Sequence, residues 1–495
     1  MTIEELLEKS GSELTNVINE LRNGRNTPEP NSKEYAAQFD PKLHEVNDRR
    51  KRPDKLVVVD KDSDEYGEVK NINPNAELTT EQGFRIEPVT RIALAIQKLI
   101  VKRAVAFTFG NPVTYNANPE DEAQKALLQA INRVFYDVKE ETLNRRIARS
   151  LYSTTEVAEL WYPVETEPHE LYGFKKNIKF KVAVFSPMFG DRLYPYFDEA
   201  RDLIAFSREF TRKDRDLITR TYFETYTKDK HYLWSCEGLE TTTGGNWELV
   251  EGYPKDITIG KIPIIYASQP QVEWEDVQSL IDRLEKLLSN FADTNDYHAS
   301  PKIFVQGKVV GFARKGEAGA IIEGEQGATA QYLSWANAPE SVKLEIDTLL
   351  RMIYTITQTP DISFDTVKGL GAISGVALQL LFMDAHLKVQ DKTEIFSEYL
   401  QRRINVLKAY MGQANINWKE AASRLIVEPK ITPYIIEDEL SKINILQAAN
   451  GQKQIASRKA TIQRLGWAEN VDDEEAAIQA EEDREKSYYQ GEPTL

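Results

Sequence analysis

Apolar residues recur at helical spacing over residues 1–23, where Ile3, Leu6, Leu7, Leu14, Val17, Ile18 and Leu21 share one side. Asn23-Gly24 and Thr27-Pro28-Glu29-Pro30 end that helix, and 24–80 is polar and without period. Pattern returns at Pro88. Val89, Ile92, Ile96, Leu99 and Ile100 predict one helix face, Ala104–Phe109 an extended stretch, and Gly110-Asn111-Pro112 a turn. A helix over 119–151 follows, with Leu127, Leu128, Ile131, Val134, Phe135 and Val138 inward.

From 157 to 266 the period changes to about two. Val157–Val164, Ile178–Val184, Leu203–Phe210, Thr219–Tyr226, His231–Trp234, Trp247–Val250 and Ile262–Tyr266 read as strands between turns such as Thr243-Gly244-Gly245-Asn246. Tyr194, Tyr196, Phe197, Phe206, Phe210, Tyr222, Phe223, Tyr226, Tyr232 and Trp234 crowd this region. Such density suits a stacking platform for bases or sugars, but cross-strand pairing in a sheet core is the favoured reading.

After 270 helices dominate. Val277, Leu280, Ile281, Leu284, Leu287, Leu288 and Phe291 fit the 3.6-residue period, as do Val342, Ile346, Leu349, Leu350, Ile353 and Ile356 over 341–358. Between them a short strand pair is expected, Ile303–Gln306 with Val309–Ala313, joined by Gly307-Lys308, then the Gly-rich stretch 316–327. Residues 359–372 carry a proline and two glycines without apolar period and read as a loop. Ser374 caps a helix predicted to run from Val376 to Met411, on the order of 50 Å at 1.5 Å per residue. That length suits a large assembly. Helical hairpins follow over 417–482, with an acidic, solvated end.

At 495 residues the chain has room for roughly three domains. Its 62 Lys+Arg against 78 Asp+Glu give a net charge of −16. Proteins that grip nucleic acid neutralise phosphates with cations, so a repressor or polymerase is disfavoured, whereas a surface past which DNA slides is not. The single cysteine, Cys236, excludes an intramolecular disulfide framework and multi-thiolate zinc sites. The acidic, helical N-terminus and the lack of an apolar run near 20 residues predict a chain made as a soluble intracellular protein without membrane contact.

Chemistry is sparse. There is no phosphate-binding loop, no G-x-G-x-x-G after a strand and no H-E-x-x-H, and the five histidines lack metal-ligand spacing, so no cofactor and no metal are expected. Cys236 near His231 reads as packing rather than as a nucleophile. Asp198, Glu199 and Asp202 cluster as a metal nuclease or glycosidase would require, yet sit in a turn where solvation explains them. The run Arg49-Arg50-Lys51-Arg52 has the charge to touch phosphate, but a solvated run or one paired with the protein's own acids is the favoured reading.

Several stretches, in order, resemble the portal (head–tail connector) proteins of tailed double-stranded-DNA phages, siphophage type. They are Arg91–Tyr115 with Phe107-Thr108-Phe109-Gly110-Asn111-Pro112-Val113; Gly260-Lys261-Ile262-Pro263-Ile264-Ile265-Tyr266 running into Asp276-Val277 and Leu280-Ile281-Asp282; Ser289, Asn295-Asp296 and Ile303–Gly307; and Thr359-Pro360-Asp361 with Ser374-Gly375-Val376-Ala377-Leu378. Together they span about 90–410.

The resemblance implies an α+β portal fold. It divides the chain into an N-terminal helix at 1–23, a wing at 24–273, stem helices at 274–297 and 341–358, and a clip at 298–340. A tunnel loop at 359–373, a long wing helix at 374–411, a helical crown at 412–482 and a polar tail at 483–495 complete it. It further implies a non-enzymatic ring, normally a dodecamer, at the capsid vertex of the virion, made in the bacterial host cytoplasm. Double-stranded DNA would pass Asp365, Thr366, Val367, Lys368, Gly369 and Leu370 in the channel. The terminase large subunit and later the head–tail adaptor proteins would dock at Phe304, Lys308, Phe312, Arg314 and Lys315. Stem contacts between subunits would involve Leu280, Leu284, Leu287, Ile346, Leu350 and Ile353, and capsid and scaffold proteins would be further partners. The competing expectations are a soluble enzyme using Asp198–Asp202, or another minor structural protein of a phage.

Overall fold

A computed structural model describes residues 3–9, 13–25, 28–60, 82–213, 217–238, 246–299, 303–306, 309–311, 323–324, 329–332, 338–361, 382–434, 439–451, 455–468 and 471–489. It mixes helix and sheet. The chain forms two compact units, one of residues 1–359 with 387–433, the other of 360–386 with 434–495.

In the larger unit the amphipathic start is two helices, α1 (Ile3–Leu7) and α2 (Leu14–Asn23). Their apolar side, Leu6, Leu7, Leu14, Val17, Ile18 and Leu21, is buried as expected, against Tyr194, Phe223, Tyr232, Trp234 and Trp247. The stretch read as irregular contains α3 (Ser32–Phe39) and the strands β1 (Lys55–Asp60) and β2 (Gln82–Glu87), which pair antiparallel.

Helix α4 runs Ile96–Phe109, so the extended stretch expected at Ala104–Phe109 is instead its second half. Ala104, Val105, Phe107, Thr108 and Phe109 are all buried, and a helix covered on most sides loses the one-sided period that would reveal it. Strand β3 (Thr114–Ala117) follows. The helix expected over 119–151 is two, α5 (Glu122–Val138) and α6 (Glu140–Thr154), broken at Lys139 with φ +56°.

The period-two region gives two antiparallel sheets. Strands β4 (Glu156–His169), β5 (Lys176–Phe185) and β12 (Ile264–Ser268) order as β12-β4-β5. The other sheet contains β6 (Arg192–Phe197), β7 (Leu203–Lys213), β8 (Thr219–Tyr226), β9 (Lys230–Glu237) and β10 (Glu248–Leu249) in the order β10-β9-β8-β7-β6, with β11 (Lys255–Asp256) also on β9. The aromatic residues serve the sheet. Phe206, Phe223 and Trp234 are buried, and Phe210 stacks on its cross-strand partner Tyr222 with centroids 5.3 Å apart.

Helix α7 (Gln278–Ala299) and helix α8 (Ala338–Ile356) flank short strands β13 (Ile303–Gln306), β14 (Val309–Gly311), β15 (Glu323–Gly324) and β16 (Thr329–Tyr332). The expected local hairpin is corrected: β13 pairs with β16 and β14 with β15, so register is set by strands that lie further along the chain. Helix α9 (Met383–Ala414) is the long helix, and its 387–414 portion packs through Phe396, Leu400, Ile404 and Leu407 in the core shared by α4, α5 and α6. Helix α10 (Lys419–Arg424) and strand β17 (Val427–Lys430) close the unit, β17 pairing with β3 some 300 residues earlier in the chain.

In the smaller unit, α11 (Glu439–Ala449), α12 (Arg458–Leu465) and α13 (Val471–Tyr489) follow one another. Ser457 caps α12 and Gly466, at φ +80°, ends it. The acidic end is helical through Tyr489, and Arg458 meets Glu482 at 2.6 Å while Lys459 pairs with Asp472.

Candidate functional site

Helices α7 and α8 lie side by side and divide their residues between two faces. Leu284, Leu287 and Ile353 are buried within the protomer, and Leu280, Ile346 and Leu350 are partly buried against the same core. At roughly 1.5–3 kcal/mol for each fully buried side chain, this face fixes α7 on α8. Arg283 and Glu345 join the two helices at 2.7 Å on the exposed rim. Of the six residues that the resemblance assigns to subunit contacts, Leu284, Leu287 and Ile353 are thus buried inside the chain, while Leu280, Ile346 and Leu350 keep part of their surface exposed.

The side of α8 turned to solvent carries the charged residues Lys343, Asp347 and Arg351 and, beside them, an apolar row. Leu344, Met352 and Ile356 are 69%, 50% and 50% exposed, with Thr348 completing an i, i+4, i+8, i+12 row. Exposed apolar side chains in line on an ordered helix are what a contact surface presents. Ile356, expected on the inward stripe of this helix, lies instead on the exposed row, while Leu344 and Met352 fall outside the stripe that the period picked out.

Helix α7 is braced by the segment before α4. His44 is buried, with Nδ1 2.7 Å from Glu285 Oε1 and Nε2 2.7 Å from the Gln38 carbonyl. Both ring nitrogens face acceptors, so the imidazolium form, which donates from both, is the one that satisfies them. Glu285 Oε1 also accepts the Leu94 N–H at 2.7 Å. Burial alone depresses the His44 pKa, but Glu285 reverses this and raises it. Arg52 meets Asp293 on α7 at 2.8 Å, donates to the Asn290 side chain and bonds the Thr90 carbonyl. Arg50 pairs with Asp48 and Lys51 with Glu45, so the basic run is spent largely on the protein's own acids.

Of the expected channel residues, Asp365, Thr366, Val367, Lys368, Gly369 and Leu370 lie outside the described residues. The same holds for Lys308, Phe312, Arg314 and Lys315, while Phe304 lies on β13 opposite Gln331. Asp198, Glu199 and Asp202 line an open groove of about 870 Å³ together with Lys228, Lys261 and Arg402. Asp198 closes its own turn by accepting the Asp202 N–H at 2.8 Å, and no group of three His, Cys, Asp or Glu among the described residues is arranged to hold a metal. His231 and Cys236 stand five positions apart on β9 and so project to opposite faces. No helix among the described residues is long and apolar enough to cross a membrane.

Residues 60–488 match the model of the family described as phage portal protein, SPP1 Gp6-like. The chain belongs to that family, a structural one, which places it at the portal vertex of a phage particle. No curated protein sequence matches it. Among solved structures it is similar to a chain in the neck of an empty GTA particle computed with C6 symmetry (12% identity, 74% of this chain, 89% of that one, TM-score 0.40). A chain in the neck of a native GTA particle computed with C12 symmetry is similar as well (12% identity, 75% of this chain, 88% of that one, TM-score 0.38).

Proposed function

We propose that copies of this chain close side by side into a ring, normally of twelve, through which double-stranded DNA is packaged into the capsid and later ejected. The observation that carries the reading is the exposed row Leu344, Met352 and Ile356 on α8, opposite a face already closed against α7. A neighbouring copy covers such a row by a heterologous, ring-closing contact. Segment 359–373 is the tunnel loop, and Lys368 supplies one cation per copy. The negative net charge keeps the remaining wall from gripping phosphates. Segment 298–340 is the clip, where the terminase large subunit docks during packaging and head–tail adaptors afterwards. The chain is made in the cytoplasm of the bacterial host and meets capsid and scaffold proteins there. Lys368→Glu tests the loop: rings form normally while packaged DNA falls, and normal packaging by this variant refutes the role given to Lys368.

A further inference from the structure

The chain leaves the larger unit after Thr359 and re-enters it at Leu387, and both crossings meet one buried cluster of charge within that unit. Lys388, buried on α9, reaches Glu273 Oε2 at 2.6 Å and donates to the Thr357 carbonyl at 3.0 Å. Lys392, one turn further, reaches the other Glu273 oxygen at 2.5 Å and Gln269 Oε1 at 3.1 Å. Its ammonium also stands 5.2 Å from the Tyr152 ring centre. Glu273 and Gln269 lie in the connection from β12 to α7 and are themselves fixed. The Glu273 N–H donates to the Tyr152 carbonyl at 3.2 Å, and the Gln269 N–H to the Thr155 carbonyl at 2.8 Å.

The end of α8 is equally defined. Thr357 Oγ1 donates to the Ile353 carbonyl at 2.7 Å, the Thr359 N–H donates to the Tyr354 carbonyl at 2.9 Å, and Gln358 takes the left-handed region at φ +50°. Pro360 then forbids a further helical turn. Helix-terminal carbonyls lack intrahelical partners and carry partial negative charge. Two ammonium groups against one carboxylate leave a positive charge over, and the α8 terminus is where that charge is met.

We propose that Glu273, Lys388 and Lys392 form a positioning clamp, which pins the exit of α8 and the entry of α9 to one point on the β12–α7 connection. The clamp's relevance to DNA passage rests on the portal reading; the clamp itself does not.

Hydrogen exchange on the full-length chain tests it. Lys388→Met raises exchange about tenfold in peptides covering both 353–361 and 387–392, with α5 and α6 unchanged. Glu273→Gln does the same at neutral pH, but its protection recovers as pH rises. Burial depresses the Lys388 pKa, and without Glu273 the ammonium sheds its proton sooner, which relieves the uncompensated charge. Lys388→Met in the Glu273→Gln background removes that pH dependence. Unchanged exchange at either end in Lys388→Met, or a Glu273→Gln variant indifferent to pH, overturns the clamp. Failure of the wild-type chain to form rings bears on the portal reading alone.

Discussion

Arg403 on α9 and Glu159 on β4 form a two-pronged pair, Nε to Oε1 at 2.7 Å and Nη2 to Oε2 at 2.9 Å, with neither side chain exposed to solvent. The second terminal nitrogen, Nη1, donates to Asn144 at 2.6 Å and to Glu140 at 3.2 Å, and Glu140 accepts the Tyr115 hydroxyl. Burial alone disfavours the guanidinium charge; Glu159 more than restores it, and the Arg403 pKa is raised. Removing one member of a buried pair strands the other. Arg403→Met therefore costs about 3–5 kcal/mol, read as a fall in the urea midpoint at unchanged slope.

The His44–Glu285 contact gives a pH dependence of definite sign. The groups that act on His44 are Glu285 and Asp282 on α7 and the Gln38 carbonyl. A raised pKa means the folded chain binds the proton more tightly than the unfolded one. The contribution is fully present below the unfolded histidine value of about 6.5 and fades as pH climbs through the folded value. Denaturation midpoints of the wild type therefore fall from pH 6 toward alkaline pH more steeply than those of His44→Gln. Equal slopes contradict the assignment of the proton to His44.

Gly24 ends α2 beneath a ring. A Cβ placed there would sit 1.9 Å from Cδ2 of Tyr196. Gly24→Ala displaces that ring and loosens α1 and α2 from the sheet, costing roughly 1–3 kcal/mol. In a Tyr196→Ala background the same substitution is nearly neutral, and a double-mutant cycle on denaturation midpoints checks this.

Much of this was legible in the sequence, and the exceptions have physical causes. The α1–α2 stripe, α7 and α8 showed because each buries one face, and most strands of the large sheet because β-branched and aromatic residues recur between turns. Strand β6 went unread because Pro195 interrupts it; as an edge strand, paired in its sheet only with β7, it tolerates the missing donor. The α5–α6 break falls at Lys139, where no glycine or proline marks a left-handed turn. Strand β17 depends on β3, a partner that local pattern does not reveal. The Glu273–Lys388–Lys392 cluster left no trace in the sequence, since a lysine on a long helix usually reads as solvated.

The apolar row on α8 separates folding from assembly. Leu344→Glu with Met352→Glu leaves the circular dichroism spectrum and the denaturation midpoint of the single chain close to wild type, because both side chains are exposed. The same variant loses higher oligomers in sedimentation velocity. Retention of wild-type oligomers assigns the subunit boundary to another surface.

Negative-stain electron microscopy of the purified full-length chain, with mass photometry on the same sample, tests the central claim most directly. The account predicts annular particles with a central hole and a mass that is a whole multiple of the protomer. Compact single chains at every concentration, with no annular species, contradict it.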